Sequence, residues 1–250
     1  MFKKMNKSLL LLPILLGVLC VPSQLNATLI DESKLSASVT VASDYVFRGV
    51  SLTGNNAAIR TDLGYALTDD FSLAASVSNV ENSDLVGNAS YELVLGAAYD
   101  FDCFGLDSSI GFTSYLYPNA YEVTGANPSS DDRDAHEVSL EVSHSGFTLG
   151  AHTTTATEAS GYDTGSNTYY NLSYTTALTK SIDLTVGYGM WTSPDGEAGG
   201  PDGDRKDYLI SLAKGPYALT WTDTDAKHST AGATDKDVEG IFTASYTLEI

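Results

Sequence analysis

Glu137-Val138-Ser139-Leu140-Glu141-Val142-Ser143 sets every apolar side chain one residue out of step with every polar one. Neighbouring side chains of an extended chain point to opposite faces, so this stretch is a strand with one greasy side and one wet side. The rhythm continues in both directions. Upstream, Leu35, Ala37, Val39, Val41, Tyr45 and Phe47 alternate with Ser36, Ser38, Thr40, Asp44 and Arg48, and then Ile59, Leu63, Tyr65 and Leu67 oppose Arg60, Asp62 and Gly64. Phe71, Leu73 and Val77 stand against Ser72, Ser76 and Ser78. Tyr91, Leu93, Leu95, Tyr99 and Phe101 stand against Ser90, Glu92, Gly96 and Asp100, and Leu106, Ile110, Phe112 and Leu116 against Asp107 and Thr113. Downstream, strands are expected to begin near Phe147, Thr168, Ile182, Asp207, Tyr217 and Val238, the last running in phase to Ile250.

The connections carry independent information. Compact turn chemistry at Thr68-Asp69-Asp70, Asp102 to Gly105, Ser145-Gly146, Thr179-Lys180-Ser181 and Lys214-Gly215-Pro216 takes turns with long polar stretches at Pro118 to Asp134, Glu158 to Asn167, Thr192 to Lys206 and Asp223 to Asp237. Short turns at one end and long loops at the other are the pattern of outer-membrane barrels. The predicted fold is all-β, a transmembrane antiparallel up-and-down β-barrel of about 12 strands, with both termini periplasmic and the long loops outside the cell.

A soluble barrel or sandwich would alternate too, with its apolar residues inside. Two features weigh against that. The polar phase is dominated by Ser, Thr, Gly and Ala, and lysine is scarce along the strands, where soluble sheet edges usually carry charge. The charges also sort by phase: Asp44, Arg48, Arg60, Asp62, Glu92, Asp100, Asp107, Glu137, Glu141, Asp183, Asp207, Glu239 and Glu249 all fall on the polar one. Lipid supplies a cause, because a Lys or Arg at mid-bilayer on the outer face costs roughly 2–4 kcal/mol. Aromatic residues gather near strand ends, with Tyr45, Phe47, Tyr91 and Tyr208 toward the loops and Tyr65, Phe71, Tyr99, Phe101, Phe147 and Tyr217 toward the turns, as two interfacial girdles require.

Residues 1–27 read as a cleaved secretory signal: Lys3, Lys4 and Lys7 precede the apolar run Leu9 to Leu19, and Leu25-Asn26-Ala27 supplies a cleavage site. That run is shorter than the roughly 20 residues a membrane helix needs. Leu19 stands before Cys20 where lipidation sites carry a small residue. Thirteen Lys and Arg, three of them in the signal, against 32 Asp and Glu leave the mature chain at −22, which excludes a nucleic-acid partner. Mature cysteine is reduced to Cys103, so neither an intramolecular disulfide nor a Cys/His zinc site is available. With no linker-like break in composition, residues 28–250 are expected to form one barrel domain.

The run Ser43-Asp44-Tyr45-Val46-Phe47-Arg48-Gly49-Val50-Ser51, followed by Thr53, by Ser78-Asn79-Val80-Glu81 and by Tyr115-Leu116-Tyr117-Pro118, resembles the TorF family of porins. The likeness runs from about Leu35 to the C-terminus and is strongest in the first half. It implies a secretory signal and an outer-membrane barrel, and no particular substrate. The chain departs from the pattern at Leu52, where Gln is expected, and at Ile250, where outer-membrane barrels usually close on Phe.

Function is left to the lumen and the loops. About twelve strands enclose more than a side-chain-filled eight-stranded barrel and less than a large porin, so a narrow channel for small hydrophilic solutes is expected. Asp44, Arg48, Arg60, Asp62, Glu92, Asp107, Glu137, Glu141, Asp183 and Asp207 are the lumen-lining candidates, and the excess of carboxylates among them favours cations. Arg48 and Arg60 either set a transverse field with Asp44 and Asp62 or close a buried ion-pair cluster. The expected partners are outer-membrane lipids, the barrel-assembly machinery and small solutes or cations, with oligomerisation open. The competing reading is a non-conducting structural barrel, or one that binds or adheres through its loops; acidic stretches at Asp131 to Asp134 and Asp195 to Asp204 suggest calcium but lack the spacing of a calcium loop. No enzyme activity or cofactor is expected, because His144 and its neighbours Ser143 and Ser145 point to opposite faces.

Overall fold

The computed structural model describes residues 31–81, 88–118, 120, 122–124, 127–129, 134–157, 167–192, 205–225 and 240–250. After a single 3-10 turn at Glu32–Lys34, the strands are β1 (Leu35–Ala42), β2 (Val46–Phe47), β3 (Val50–Ser51), β4 (Ala58–Ala66), β5 (Phe71–Asn79), β6 (Tyr91–Cys103), β7 (Leu106–Leu116), β8 (Glu122–Thr124), β9 (Asn127–Ser129) and β10 (Ala135–His144). They continue with β11 (Phe147–Thr157), β12 (Thr168–Ala177), β13 (Asp183–Thr192), β14 (Arg205–Lys214), β15 (Tyr217–Thr224) and β16 (Ile241–Glu249). Twelve of them close into one antiparallel barrel in the order β1-β16-β15-β14-β13-β12-β11-β10-β7-β6-β5-β4. The first and last wall strands seal it, with Val39 opposite Leu248 and Val41 opposite Tyr246. Closure leaves no unpaired edge, the only way a sheet can satisfy its backbone in hydrocarbon.

Register fixes which phase points outward. Val39, Val41, Ile59, Leu63, Leu73, Leu95, Phe112 and Leu140 meet across the ladders on one side, together with Leu149, Leu172, Ile210, Leu219 and Leu248. That side is bare: Ile59 is 59% exposed, Leu149 57% and Leu219 52%. A continuous apolar surface of this size is what a lipid contact demands and what water would penalise. Among the described residues, charge reaches the outer positions of the wall strands only at their ends. Lys206 and Asp223 stand there near the loops and Lys214 near a turn.

The girdle assignment holds at the turn end, where Phe147 packs on Tyr174 and Tyr217 on Tyr246, and in part at the loop end, where Tyr188 packs on Tyr208. Two members are corrected. Tyr45 and Phe47 do not face lipid, because the first strand stops at Ala42 rather than continuing to Arg48. The chain then turns into the barrel and forms the β2–β3 hairpin inside the mouth. Its two-residue turn has positive φ at both Arg48 (+48°) and Gly49 (+85°), the mirror-image turn whose twist suits a tight hairpin. Asp44 and Arg48 are therefore not wall residues. The sequence-expected strand from Val238 is described from Ile241, while Glu239, the signal segment and the stretches 131–133 and 195–204 lie outside the described residues.

Candidate functional site

The infolded segment is tied to itself before it is tied to the wall. Ser51 Oγ and Thr53 Oγ1 each donate to Asp44 Oδ1 at 2.7 Å, and the Tyr45 N–H donates to Thr53 Oγ1 at 3.1 Å. The Leu52 N–H reaches back to the Tyr45 carbonyl at 2.7 Å. Leu52 is 1% exposed and centres an apolar cluster with Val80, Ala89, Val94, Tyr115 and Tyr117. A glutamine in that setting would bury an amide among carbons, so the leucine suits its surroundings.

From this base the hairpin reaches across the mouth. Arg48 makes a bidentate ion pair with Glu137 on β10, both bonds 2.8 Å, with side-chain exposures of 8% and 6%. Its guanidinium lies 4.2 Å from the ring centre of Tyr169, 4.6 Å from Phe47 and 4.7 Å from Trp191. Tyr115 donates to the same Glu137 carboxylate at 3.3 Å. Charge, fork geometry and stacking all favour Arg at this point over Lys. Gly49 is required twice over. Its φ is left-handed, and a Cβ there would come within 2.8 Å of Thr224 Cβ and 2.9 Å of Asp207 Cβ.

The other charges of the mouth are partnered in part, with Asp44 Oδ2 and Asp207 Oδ2 buried without a hydrogen bond among the described residues. Glu92 is 2% exposed and accepts from Tyr45 Oη at 2.8 Å and Tyr117 Oη at 2.7 Å. Burial pushes both loop phenols well above their ordinary pKa, and the negative Glu92 adds to the effect, so they remain donors. Arg60 stands 3.4 Å from Asp62, which also accepts from Ser38 at 3.1 Å. Asp207 accepts from Tyr169 Oη at 3.1 Å. Asp134 Oδ1 accepts the Tyr117 N–H at 2.7 Å, which gives that acid a structural partner.

Beneath the hairpin the lumen opens into a cavity of about 420 Å³. Small side chains make the space: Ala74, Gly96, Ala98, Gly111, Ser139 and Gly187 line it, with Glu141, His152 and Asn171 among its polar members. His152 Nε2 is 3.5 Å from Glu141 and 3.0 Å from Asn171 Oδ1. Seven of the ten sequence candidates thus gather in or next to the mouth (Asp44, Arg48, Arg60, Asp62, Glu92, Glu137 and Asp207), while Glu141 sits lower, at the cavity. Asp107 and Asp183 stand apart at the turn ends of β7 and β13, exposed. Ser143 Oγ bonds Thr148 Oγ1 at 2.9 Å, while His144 opposes Phe147 on the outer phase. Sequence reasoning missed Tyr169 and Trp191 beside Arg48, although each interrupts a polar phase, and Tyr115 entered it only through the quoted motif.

The quoted family motif is the hairpin itself, and Tyr115 and Tyr117 pack against it. Among solved structures the chain is similar to the COG4313 outer membrane channel from Pseudomonas putida F1, with 13% identity, TM-score 0.44 and coverage of 92% of this chain and 99% of that one. It is similar also to OpdL of Pseudomonas aeruginosa, with 15% identity, TM-score 0.40 and coverage of 87% and 68%. No curated protein matches. The TorF label suggested by the motif is not the one the family comparison returns. The Gcw_chp sequence model, described as a bacterial protein of unknown function, matches residues 27–248, and the chain belongs to that family.

Proposed function

We propose that this barrel lies in the bacterial outer membrane and lets small hydrophilic solutes diffuse through a narrow lumen, with a preference for cations. The observation that carries the reading is the cavity of about 420 Å³ inside a closed wall whose outer face is apolar. Small residues keep that cavity open, which a packed core would not do, and Glu141, His152 and Asn171 set polar groups into a largely apolar lining.

The preference for cations rests on which acids remain available. Glu137 is neutralised by Arg48, and Asp62 stands beside Arg60, so these contribute little net field. Glu141 at the cavity, and Asp107 and Asp183 at the turn ends, keep exposed or half-exposed carboxylates along the route, and rings of such charge favour cations. In this reading the lipids contact the outer phase, and the assembly machinery takes up β16.

The test is a planar-bilayer recording of the purified full chain under a potassium chloride gradient. Discrete steps with a reversal potential of cation-selective sign are expected. Absence of steps in both the native chain and one with residues 44–52 replaced by a flexible linker would overturn the channel reading, and an anion-selective sign would overturn the preference. A second reading, a barrel closed to solutes, is favoured by the hairpin across the mouth. Steps that appear only after that replacement would establish it.

A further inference from the structure

The surroundings of Arg48 have the chemistry of a binding site. A carboxylate with 6% side-chain exposure offers both oxygens to a guanidinium, and three rings, Phe47, Tyr169 and Trp191, stand within 4.7 Å of its carbon. Bidentate carboxylate and aromatic faces together recognise a planar, weakly hydrated cation. The group that fills this cage belongs to a turn rather than to the wall. It sits at the tip of a hairpin with two residues per strand, on a non-glycine residue in the left-handed region. Backbone strain of that kind persists only where the surroundings hold it.

The cage is reached from within the barrel. Arg48, Phe47 and Tyr169 form part of the lining of the lumenal cavity, so a solute in that cavity meets the internal ligand and two of the rings, with Glu137 and Trp191 behind them. We propose that the cage is a guanidinium-binding site which Arg48 occupies as an internal ligand, and that a solute bearing a guanidinium group takes its place against Glu137, releasing the hairpin tip. Under the channel reading, on which its role in passage rests, the site makes guanidinium compounds a preferred solute class and couples their arrival to opening of the mouth. A solute with equal affinity for both states would shift nothing, so the exchange works only because the cage accepts either occupant and not both.

Binding can be measured without current, which separates this proposal from the channel reading. Trp191 reports on the cage, and a W221F background removes the fluorescence of the described tryptophan on the lipid side. The probe is methylguanidinium, added to the full chain in detergent. R48A in that background is expected to show saturable Trp191 quenching at least about tenfold tighter than the native cage, in which the internal ligand competes. R48A/E137Q is expected to lose about tenfold or more of that affinity. If folded R48A gives no saturable response, or E137Q leaves the affinity unchanged, the proposal fails. R48Q, which keeps the stem and removes the charge, serves if R48A does not fold. Should neither fold, methylguanidinium is titrated against the native protein while amide exchange of Phe47 to Ser51 is followed. Faster exchange supports displacement of the tip, and unchanged exchange overturns it.

Discussion

The mouth and the lower lumen use the same strands and the same inward phase, yet they are built on opposite principles. At the mouth, chain fills the space: the β2–β3 hairpin carries Phe47 and Arg48 inward, and Glu92 and Glu137 have their oxygens matched by hydroxyls or a guanidinium. Below it the inward positions shrink to Ala74, Gly96, Ala98 and Gly187, and the space stays open. One region is a core with a structural polar network. The other is an open cavity, the conduit of the proposed channel. The difference teaches that a barrel's wall can be uniform while its interior is divided between a packed part and an open one.

The sharpest break in this contrast is R48A. Removing one partner of a buried pair strands Glu137, which should cost about 3–5 kcal/mol in chemical unfolding. R48A/E137A should cost less than the sum of the two single changes, because the cycle counts the lost pair once. Next comes added volume. A side chain at Gly189 meets Tyr169 and Asp207, so G189A should destabilise by about 1–3 kcal/mol. Gly96 has nothing nearer than 3.8 Å to its absent Cβ. G96L should therefore reduce single-channel conductance with a smaller loss of stability, and a loss equal to that of G189A would erase the distinction.

Charge in the lower lumen should matter to ions more than to folding. E141Q with D107N and D183N is expected to weaken cation preference in reversal-potential measurements, while D107N and D183N each shift stability by within about 0.5 kcal/mol, as exposed substitutions do. The smallest effect concerns pH. Tyr45 and Tyr117 are raised in the folded state, so their contribution is complete below the unfolded tyrosine value of about 10 and drains away as pH climbs beyond it toward the folded values. Melting temperature should fall above about pH 10, and Y45F/Y117F should flatten that part of the profile.

The wall was legible because period two is imposed by the backbone itself, and lipid on one side leaves no tolerance for charge. Val138, Leu140 and Val142 therefore announced β10 without any knowledge of neighbours. The hairpin was not legible for the same reason. Ser43 to Arg48 keeps the alternation of β1 after the chain has left the wall, and alternation records an extended backbone, not what lies on either side. Arg48-Gly49 was the available sign of a turn, and Tyr115, Tyr169 and Trp191 were bulky aromatics on a phase otherwise kept small. Their convergence on the Arg48–Glu137 pair depends on curvature across the barrel, between strands far apart in the chain, which no local pattern encodes.

The central claim is that this hairpin, and not the wall, sets the width of the passage. Single-channel conductance of the native chain and of the chain with residues 44–52 replaced by a flexible linker tests it directly in planar bilayers. A several-fold larger step in the altered barrel, with cation selectivity kept, is the predicted result; equal steps from the two folded barrels would contradict it.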